Sequence, residues 1–333
     1  MNHAINSRTL EEVFISTFHG KLLFDDFLNI EINQEYSKIN KGNRVRYSPS
    51  VKLKKIHRFI NSSILAYFEL NKEVVFSYRK GVSIRDAVEK HAKNKFFFQT
   101  DVKDFFSSFD VSLIKSLLEK NLDFVPISDI KNYSDLLLDL LVVDGVIPEG
   151  FPTSPMLSNA CLFDFDNLLD DYCKRNGFFY SRYSDDIIIS SNDKIGFSSL
   201  ENDIQHIFTS SLGDSFILNR KKTKIQSKNK NVKILGFNIL PNGVITISNK
   251  DKNEIEVMLN FYLSDLSKFD DYVKNKVNLK DKDVENRTFR DIGMSSLSGR
   301  IIAINSMDKK YLSKLRRKYG TTLVDMFLRK SVK

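Results

Sequence analysis

Apolar residues divide the chain into helix-spaced stretches and a smaller number of short, strand-like runs. Residues 1–40 read as a helical lead-in with Val13, Phe14, Phe18, Leu22, Leu23, Phe24, Phe27 and Leu28 as its apolar positions. Val51, Leu53, Ile56, Phe59, Ile60, Ile64, Leu65 and Phe68 recur at the spacing of an amphipathic helix, and Pro49 is placed to open it at its first turn. A basic turn, Tyr78-Arg79-Lys80-Gly81, precedes a helix through His91. Phe96-Phe97-Phe98 then reads as a strand running into Gln99-Thr100-Asp101. Helices are expected at about 110–120 and 133–143, and one from the proline-rich loop 148–155 to about 174. Phe178-Phe179-Tyr180 and Ile187-Ile188-Ile189 form two buried strands around a polar centre short enough for a hairpin turn.

Residues 195–212 place Phe197, Leu200, Ile204, Ile207, Phe208 and Leu212 on one helical face. Three short strands are expected around 222–226, 232–240 and 243–248, the last two joined through Asn242-Gly243, a strong hairpin signal. From 250 onward the pattern is helical. A helix-rich front, a central antiparallel sheet and a helical tail predict an α+β fold.

Charge narrows the class of partner. The net charge of +9 points to a polyanion, nucleic acid before membrane. Residues 309–333 concentrate nine Lys and Arg against one acid, Asp325. The 27 Phe with no Trp fit a core and, in part, surfaces on which bases stack. The two cysteines, Cys161 and Cys173, have no metal-type spacing and suggest a reducing compartment. No run of 18 apolar residues and no leader pattern is present, so a cytoplasmic protein with no membrane partner is expected.

The chemistry concentrates at the polar centre between the two strands, Ser184-Asp185-Asp186. Two carboxylates about 4 Å apart repel by roughly 4 kcal/mol at an effective dielectric near 20. A divalent cation offsets that cost, although a solvated turn fits the tripeptide equally well. Asp101, at the end of its own strand, supplies a further acid. Two-metal phosphoryl transfer needs carboxylates converging from different strands, and Asp101, Asp185 and Asp186 would provide them. Phe106, five residues past Asp101, is placed either in the core or against a sugar ring.

These residues sit within a longer series. Phe98-Gln-Thr-Asp101-Val-Lys-Asp-Phe-Phe106 resembles motif A of reverse transcriptases, and Tyr183-Ser-Asp185-Asp186 resembles their motif C, in the bacterial form Tyr180-Ser-Arg182-Tyr183. Pro148 through Asn159 resembles motif B, Leu218-Asn219-Arg-Lys-Lys222-Thr223 motif D, and Ile234-Leu235-Gly236-Phe237 the primer-grip motif E. Arg44 through Pro49 with Leu53-Lys54-Lys55-Ile56 resembles the fingers signature. The resemblance covers about residues 40–245, in the family's order. It implies a right-hand polymerase: fingers over 1–92 with 111–147 returning to them, a palm with an antiparallel sheet over 93–248, and a helical thumb over 249–333.

The resemblance implies RNA-directed DNA synthesis from dNTPs with two Mg²⁺ ions. Asp101, Asp185 and Asp186, with the Val102 carbonyl, would hold the metal. Arg44 would grip the triphosphate, with Asp104, Glu149 and Val102 also at the nucleotide. Phe106 would exclude a ribose 2′-hydroxyl, Lys222 would donate a proton to pyrophosphate, and Leu235 with Gly236 would lie against the primer. The implied partners are an RNA template, a noncoding RNA in a bacterial antiphage system, the cDNA product, and a second copy or an accessory defence protein.

The sequence departs from the family at several points. Glu149 stands where motif B usually has Gln, and a carboxylate beside a triphosphate repels it unless protonated or paired. The stretch before motif A, Ala87-Val88-Glu89-Lys90-His91, keeps only the His of the retron Asn-Ala-x-x-His, and Ile234-Leu235-Gly236 replaces Val-Thr-Gly. These features resemble abortive-infection and defence-associated enzymes. That leaves a template-independent or protein-primed DNA polymerase as an alternative, with Tyr262, Tyr272, Tyr311 or Tyr319 as the primer hydroxyl. A further alternative is a nucleic-acid-binding scaffold without catalysis.

Overall fold

The computed structural model describes residues 8–42, 44–276 and 287–329. The chain gathers into two compact units, one of Met1–Val82 with Phe96–Ile225 and the other of Ser83–Lys95 with Gln226–Lys333. This is a two-way partition of the chain, drawn at different places from the three-part division that the motifs suggest.

The first unit opens with helix Leu10–Phe18, capped by a reciprocal Thr9–Glu12 box. An antiparallel hairpin then interrupts the helical lead-in expected up to residue 40. Strands β1 (Tyr36–Lys41) and β2 (Arg44–Pro49) pair from Tyr36↔Pro49 to Lys41↔Arg44. β2 alternates Val45, Tyr47 and Pro49 with Arg44, Arg46 and Ser48, but β1 is mostly polar and solvent-facing, so the pair carries no apolar run that would have announced it. Pro49 ends β2 rather than opening the following helix. Ser50 caps helix Val51–Ser63 instead, accepting from the Leu53 N–H at 3.0 Å.

The central sheet contains β3 (Phe96–Asp101), β4 (Phe179–Tyr183), β5 (Asp186–Ser191) and β6 (Lys224–Ser227) in the order β4-β5-β3-β6. β3 and β5 are antiparallel, with Phe96 opposite Ser191 and Asp101 opposite Asp186. Their buried Phe and Ile residues fix this register, because a slip of one residue would turn the apolar face outward. The helix expected up to residue 174 is two helices, Ser154–Cys161 and Phe163–Arg175, broken at Leu162. Phe165 on the second stacks on Phe208 of helix Leu200–Leu212, with ring centroids 3.7 Å apart. Most of the phenylalanines in this unit are core.

Beneath the β4–β5 turn lies a buried polar cluster. Arg182 is wholly buried, and its Nε and Nη2 donate to the Asp166 carboxylate at 2.8 and 2.6 Å. Nη1 donates to Asn159 Oδ1 and to the Ser184 carbonyl, each at 3.0 Å. The Tyr180 hydroxyl donates to Asp166 at 2.7 Å. Burial and the neighbouring carboxylate push the Tyr180 pKa well up, so the phenol stays a donor.

The proline-rich loop rests on the hairpin. Gly150 has φ +115, and a Cβ there would lie 2.3 Å from the Tyr47 carbonyl oxygen. The Tyr47 N–H donates to the Glu149 carbonyl at 2.8 Å, and Phe151 packs among Tyr36, Tyr47 and His57.

In the second unit, the run expected as one strand over 232–240 is itself a hairpin. β7 (Val232–Ile234) and β8 (Phe237–Ile239) meet through Leu235 (φ 48) and Gly236 (φ 86), and β9 (Ile245–Ile247) completes the sheet. Two left-handed residues in succession suit a two-residue turn that matches strand twist. The helices Asn249–Ser264, Leu266–Lys276, Phe289–Met307, Lys309–Tyr319 and Thr321–Arg329 follow around Leu259, Phe269, Ile301, Leu315 and Phe327.

Equilibrium denaturation reads the effects of three substitutions. Arg182→Met leaves the Asp166 charge buried without a partner and should cost about 3–5 kcal/mol, whereas Tyr180→Phe, which removes one hydrogen bond, should cost about 1 kcal/mol. Gly150→Ala should also destabilise the fold, by more than the roughly 1 kcal/mol of a left-handed alanine, because its methyl meets backbone rather than a movable side chain.

Candidate active site

The sequence brings its three acids together by strand register alone. β3 delivers Asp101 at its last residue, β5 begins at Asp186 directly opposite, and Asp185 occupies the turn between β4 and β5. The Val102 N–H donates to the Asp185 carbonyl at 3.1 Å, closing the ends of the two strands. Ser184 makes the turn at φ 59. Such a left-handed residue is uncommon outside glycine and is paid for by the bonds that hold it.

The electrostatics bear the mark of crowding. Burial raises the Asp185 pKa, and the nearby Asp101 charge adds to it. Burial pushes Asp186 up to about 6, reinforced by Asp185 and Asp101, even though one edge of Asp186 faces solvent. Asp101 is 4 % exposed, and its Oδ1 has no hydrogen-bond partner. The Lys222 ammonium is ion-paired to the other oxygen, Oδ2. That ion pair, with burial opposing it, raises the Lys222 pKa and keeps it protonated.

Lys222 is held in place by its own loop. The Asn219 N–H donates to the Asp101 carbonyl at 2.8 Å, the Lys222 N–H to the Asn219 carbonyl at 2.9 Å, and the Thr223 and Thr100 hydroxyls meet at 2.7 Å. A cavity of about 360 Å³ opens here, lined by Thr100, Asp101, Asp186, Lys222 and Lys224 among others. That is the size of a small-ligand site.

The donor set fits a divalent cation. Hard oxygen ligands, an orphaned buried carboxylate oxygen and a lysine ammonium standing where positive charge is needed all suit it. Among the described residues, however, no three His, Cys, Asp or Glu side chains are gathered closely enough to form a finished cage. Lys222 holds Asp101 instead.

The other expected positions fall as follows. Asp104 is exposed at φ 47, and it leads into the short 3₁₀ helix that carries Phe106, half-buried with its ring edge toward Phe105. Glu149 is not a bare charge, since Arg46 Nε donates to it at 2.6 Å. Arg44 lies in β2, but its side chain falls outside the described residues. Leu235 and Gly236 form the β7–β8 turn in the second unit. There, the Tyr311 hydroxyl donates to Glu256 at 3.0 Å and to the Lys252 carbonyl, and that of Tyr319 donates to the Glu256 carbonyl, so both phenols are engaged. Tyr262 and Tyr272 pack against Phe269 and Phe261.

Sequence reading did not single out Asp166, Ser77 or Tyr78. Asp166 sits in an ordinary amphipathic helix, and only Arg182, a guanidinium inside an apolar strand, signalled that a buried acid must face it.

No described helix is long and apolar enough to cross a membrane. Residues 36–239 match the family described as reverse transcriptase (RNA-dependent DNA polymerase). The retron Ec73 reverse transcriptase of Escherichia coli is 28% identical over 84% of this chain and 83% of its own length. The retron Ec83 reverse transcriptase of the same species is 23% identical over 85% of each, and the retron Ec86 reverse transcriptase is 21% identical over 96% of this chain and 91% of its own. With the family match spanning more than half of the sequence, and with the acids of motifs A and C opposed on neighbouring strands, the chain belongs to the reverse transcriptases, RNA-directed DNA polymerases of the right-hand fold.

Proposed function

We propose that this reverse transcriptase copies a noncoding RNA into DNA by two-metal nucleotidyl transfer, in a bacterial antiphage element. The observation that carries the chemistry is the opposition of Asp101 and Asp186 in register, with Asp185 in the adjoining turn and one Asp101 oxygen unpartnered. The noncoding RNA rests on the likeness to retron reverse transcriptases. We assign fingers to the N-terminal part with 111–147, the palm to the central sheet, and the thumb to the C-terminal helices.

Asp101 and Asp185, with Asp186 beside them and the Val102 carbonyl, would hold two Mg²⁺. Bound there, the ions would lower the pKa of the primer 3′-hydroxyl and neutralise charge on the departing pyrophosphate. The residues of the chain do the rest. Lys222 keeps a proton at Nζ beside Asp101 and hands it to pyrophosphate. Phe106 presents its ring where a 2′-hydroxyl would come, favouring dNTPs. Arg44 grips phosphate oxygens from β2. Glu149, neutralised by Arg46, adds little repulsion toward a triphosphate, which removes the objection to ordinary templated synthesis. Leu235-Gly236 offers a backbone turn to the primer strand. The basic helices after residue 249 follow a duplex backbone, with salt-dependent affinity.

Primer extension on an RNA template with dNTPs and Mg²⁺ tests this reading. Asp185→Ala combined with Asp186→Ala should lower incorporation by at least about 10³-fold, the scale of several kcal/mol of lost charge stabilisation. Incorporation that survives the double substitution, or that proceeds at full rate without template, counts against the assignment. Phe106→Ala should raise ribonucleotide incorporation relative to dNTPs by on the order of tenfold, read as a ratio of kcat/KM values.

A further inference from the structure

The turn carrying Asp185 is gripped through every polar group of the residue before it. The Ser184 N–H donates to Ser77 Oγ at 2.9 Å, and its carbonyl accepts from Arg182 at 3.0 Å. Its hydroxyl lies 3.0 Å from the hydroxyl of Tyr78. Ser77 and Arg182 are buried and belong to the scaffold. Tyr78 is different, being 45% exposed and holding φ at 57. A bulky aromatic in the left-handed region is an outlier that persists only where its surroundings impose it.

Those surroundings begin with the segment before Tyr78, which pairs with β4 at the edge of the sheet. The Arg182 N–H donates to the Val74 carbonyl at 2.8 Å, and the Phe76 N–H donates to the Arg182 carbonyl at 3.0 Å. Residues 74–76 therefore run as a parallel rail along β4, with a bridge between Val75 and Arg182. Asn159 Nδ2 donates to the Ser77 carbonyl at 3.0 Å and fixes the end of the rail. The chain then turns sharply at Tyr78, and the phenol reaches Ser184.

We propose that Tyr78 is a positioning residue for the metal-binding turn: its hydroxyl bonds to that of Ser184 and so holds the left-handed turn residue that presents Asp185 to a divalent cation. The proposal rests on the reading of Asp185 as a metal ligand. It explains why a strained tyrosine is kept at a position where the rail itself needs no side chain.

The test uses the full chain and Mn²⁺ as the probe, following the electron paramagnetic resonance signal of the free ion, with primer extension across Mg²⁺ concentrations as a second measurement. Tyr78→Phe should keep the melting temperature and the KM for dNTP. It should weaken Mn²⁺ binding, and raise the Mg²⁺ needed for half-maximal rate, by about two- to tenfold, the worth of one hydrogen bond. Ser184→Ala should do the same, and the double variant should be no worse than Ser184→Ala alone, because both cut the same hydrogen bond. Tyr78→Gly accepts the backbone angle without strain, so it should fold normally and share the metal defect. Wild-type Mn²⁺ affinity in Tyr78→Phe, or defects that multiply in the double variant, overturns the proposal. Unchanged Mn²⁺ binding in Asp185→Ala would instead remove the ligand reading beneath it.

Discussion

A guanidinium shut away from water governs the geometry of the turn that carries Asp185. Arg182 has no solvent exposure, so its five donors must be answered inside the protein. Asp166 answers with both oxygens, Asn159 with its amide oxygen, and Ser184 with its carbonyl. Each partner comes from a different part of the chain: helix Phe163–Arg175, helix Ser154–Cys161 and the turn itself. A buried ion pair of this kind is an uncertain source of net stability, since desolvation consumes much of the Coulomb gain. Its effect here is geometric, because satisfying one side chain requires two helices and a turn to meet in a single arrangement.

The turn it fixes carries the opposite problem. Asp101, Asp185 and Asp186 lie near one another where burial raises the pKa of two of them, Asp185 and Asp186, and Lys222, ion-paired to Asp101, opposes the accumulated charge together with Lys224. A fold selected for stability alone would not keep such a cluster. The repulsion makes sense as a standing demand for cations, which the family of reverse transcriptases meets with divalent metal. Lys222 is tied to Asp101 through a loop whose backbone is itself bonded to the Asp101 carbonyl. The ammonium and the carboxylate are therefore built as one unit.

A second constraint joins the β1–β2 hairpin to the loop of motif B. Gly150 lies so close to Tyr47 that a side chain has no room, and the Tyr47 N–H is consumed by the Glu149 carbonyl. Asp144 accepts from the Tyr47 hydroxyl at 2.7 Å and from Lys38 at 2.6 Å, and Glu149 accepts from Arg46. Both acids of this loop are thus neutralised by the strands that cover it. The unusual carboxylate at residue 149 is part of this attachment, which is how a glutamate persists where a triphosphate is expected to pass.

Much of this was legible in the residues. The strands Phe96–Asp101, Phe179–Tyr183 and Asp186–Ser191 announce themselves because their burial leaves apolar runs, and the acids stand out as the charged ends of those runs. The helices announce themselves by period, and the family by the order of its motifs. The β1–β2 hairpin stayed hidden because its strands hold few apolar residues, and the β7–β8 hairpin because Leu235, a residue that seldom turns left-handed, hid the turn inside an apolar run. Sequence by itself determined which acids stand at strand ends as candidates, since strand ends and spacing are local properties. Only the tertiary structure decided what each polar group is paired with: Asp101 with Lys222, Glu149 with Arg46, Arg182 with Asp166, and the Ser184 hydroxyl with that of Tyr78. Those partners are 121, 103, 16 and 106 residues apart, and no local pattern encodes a contact that exists only once distant segments have packed.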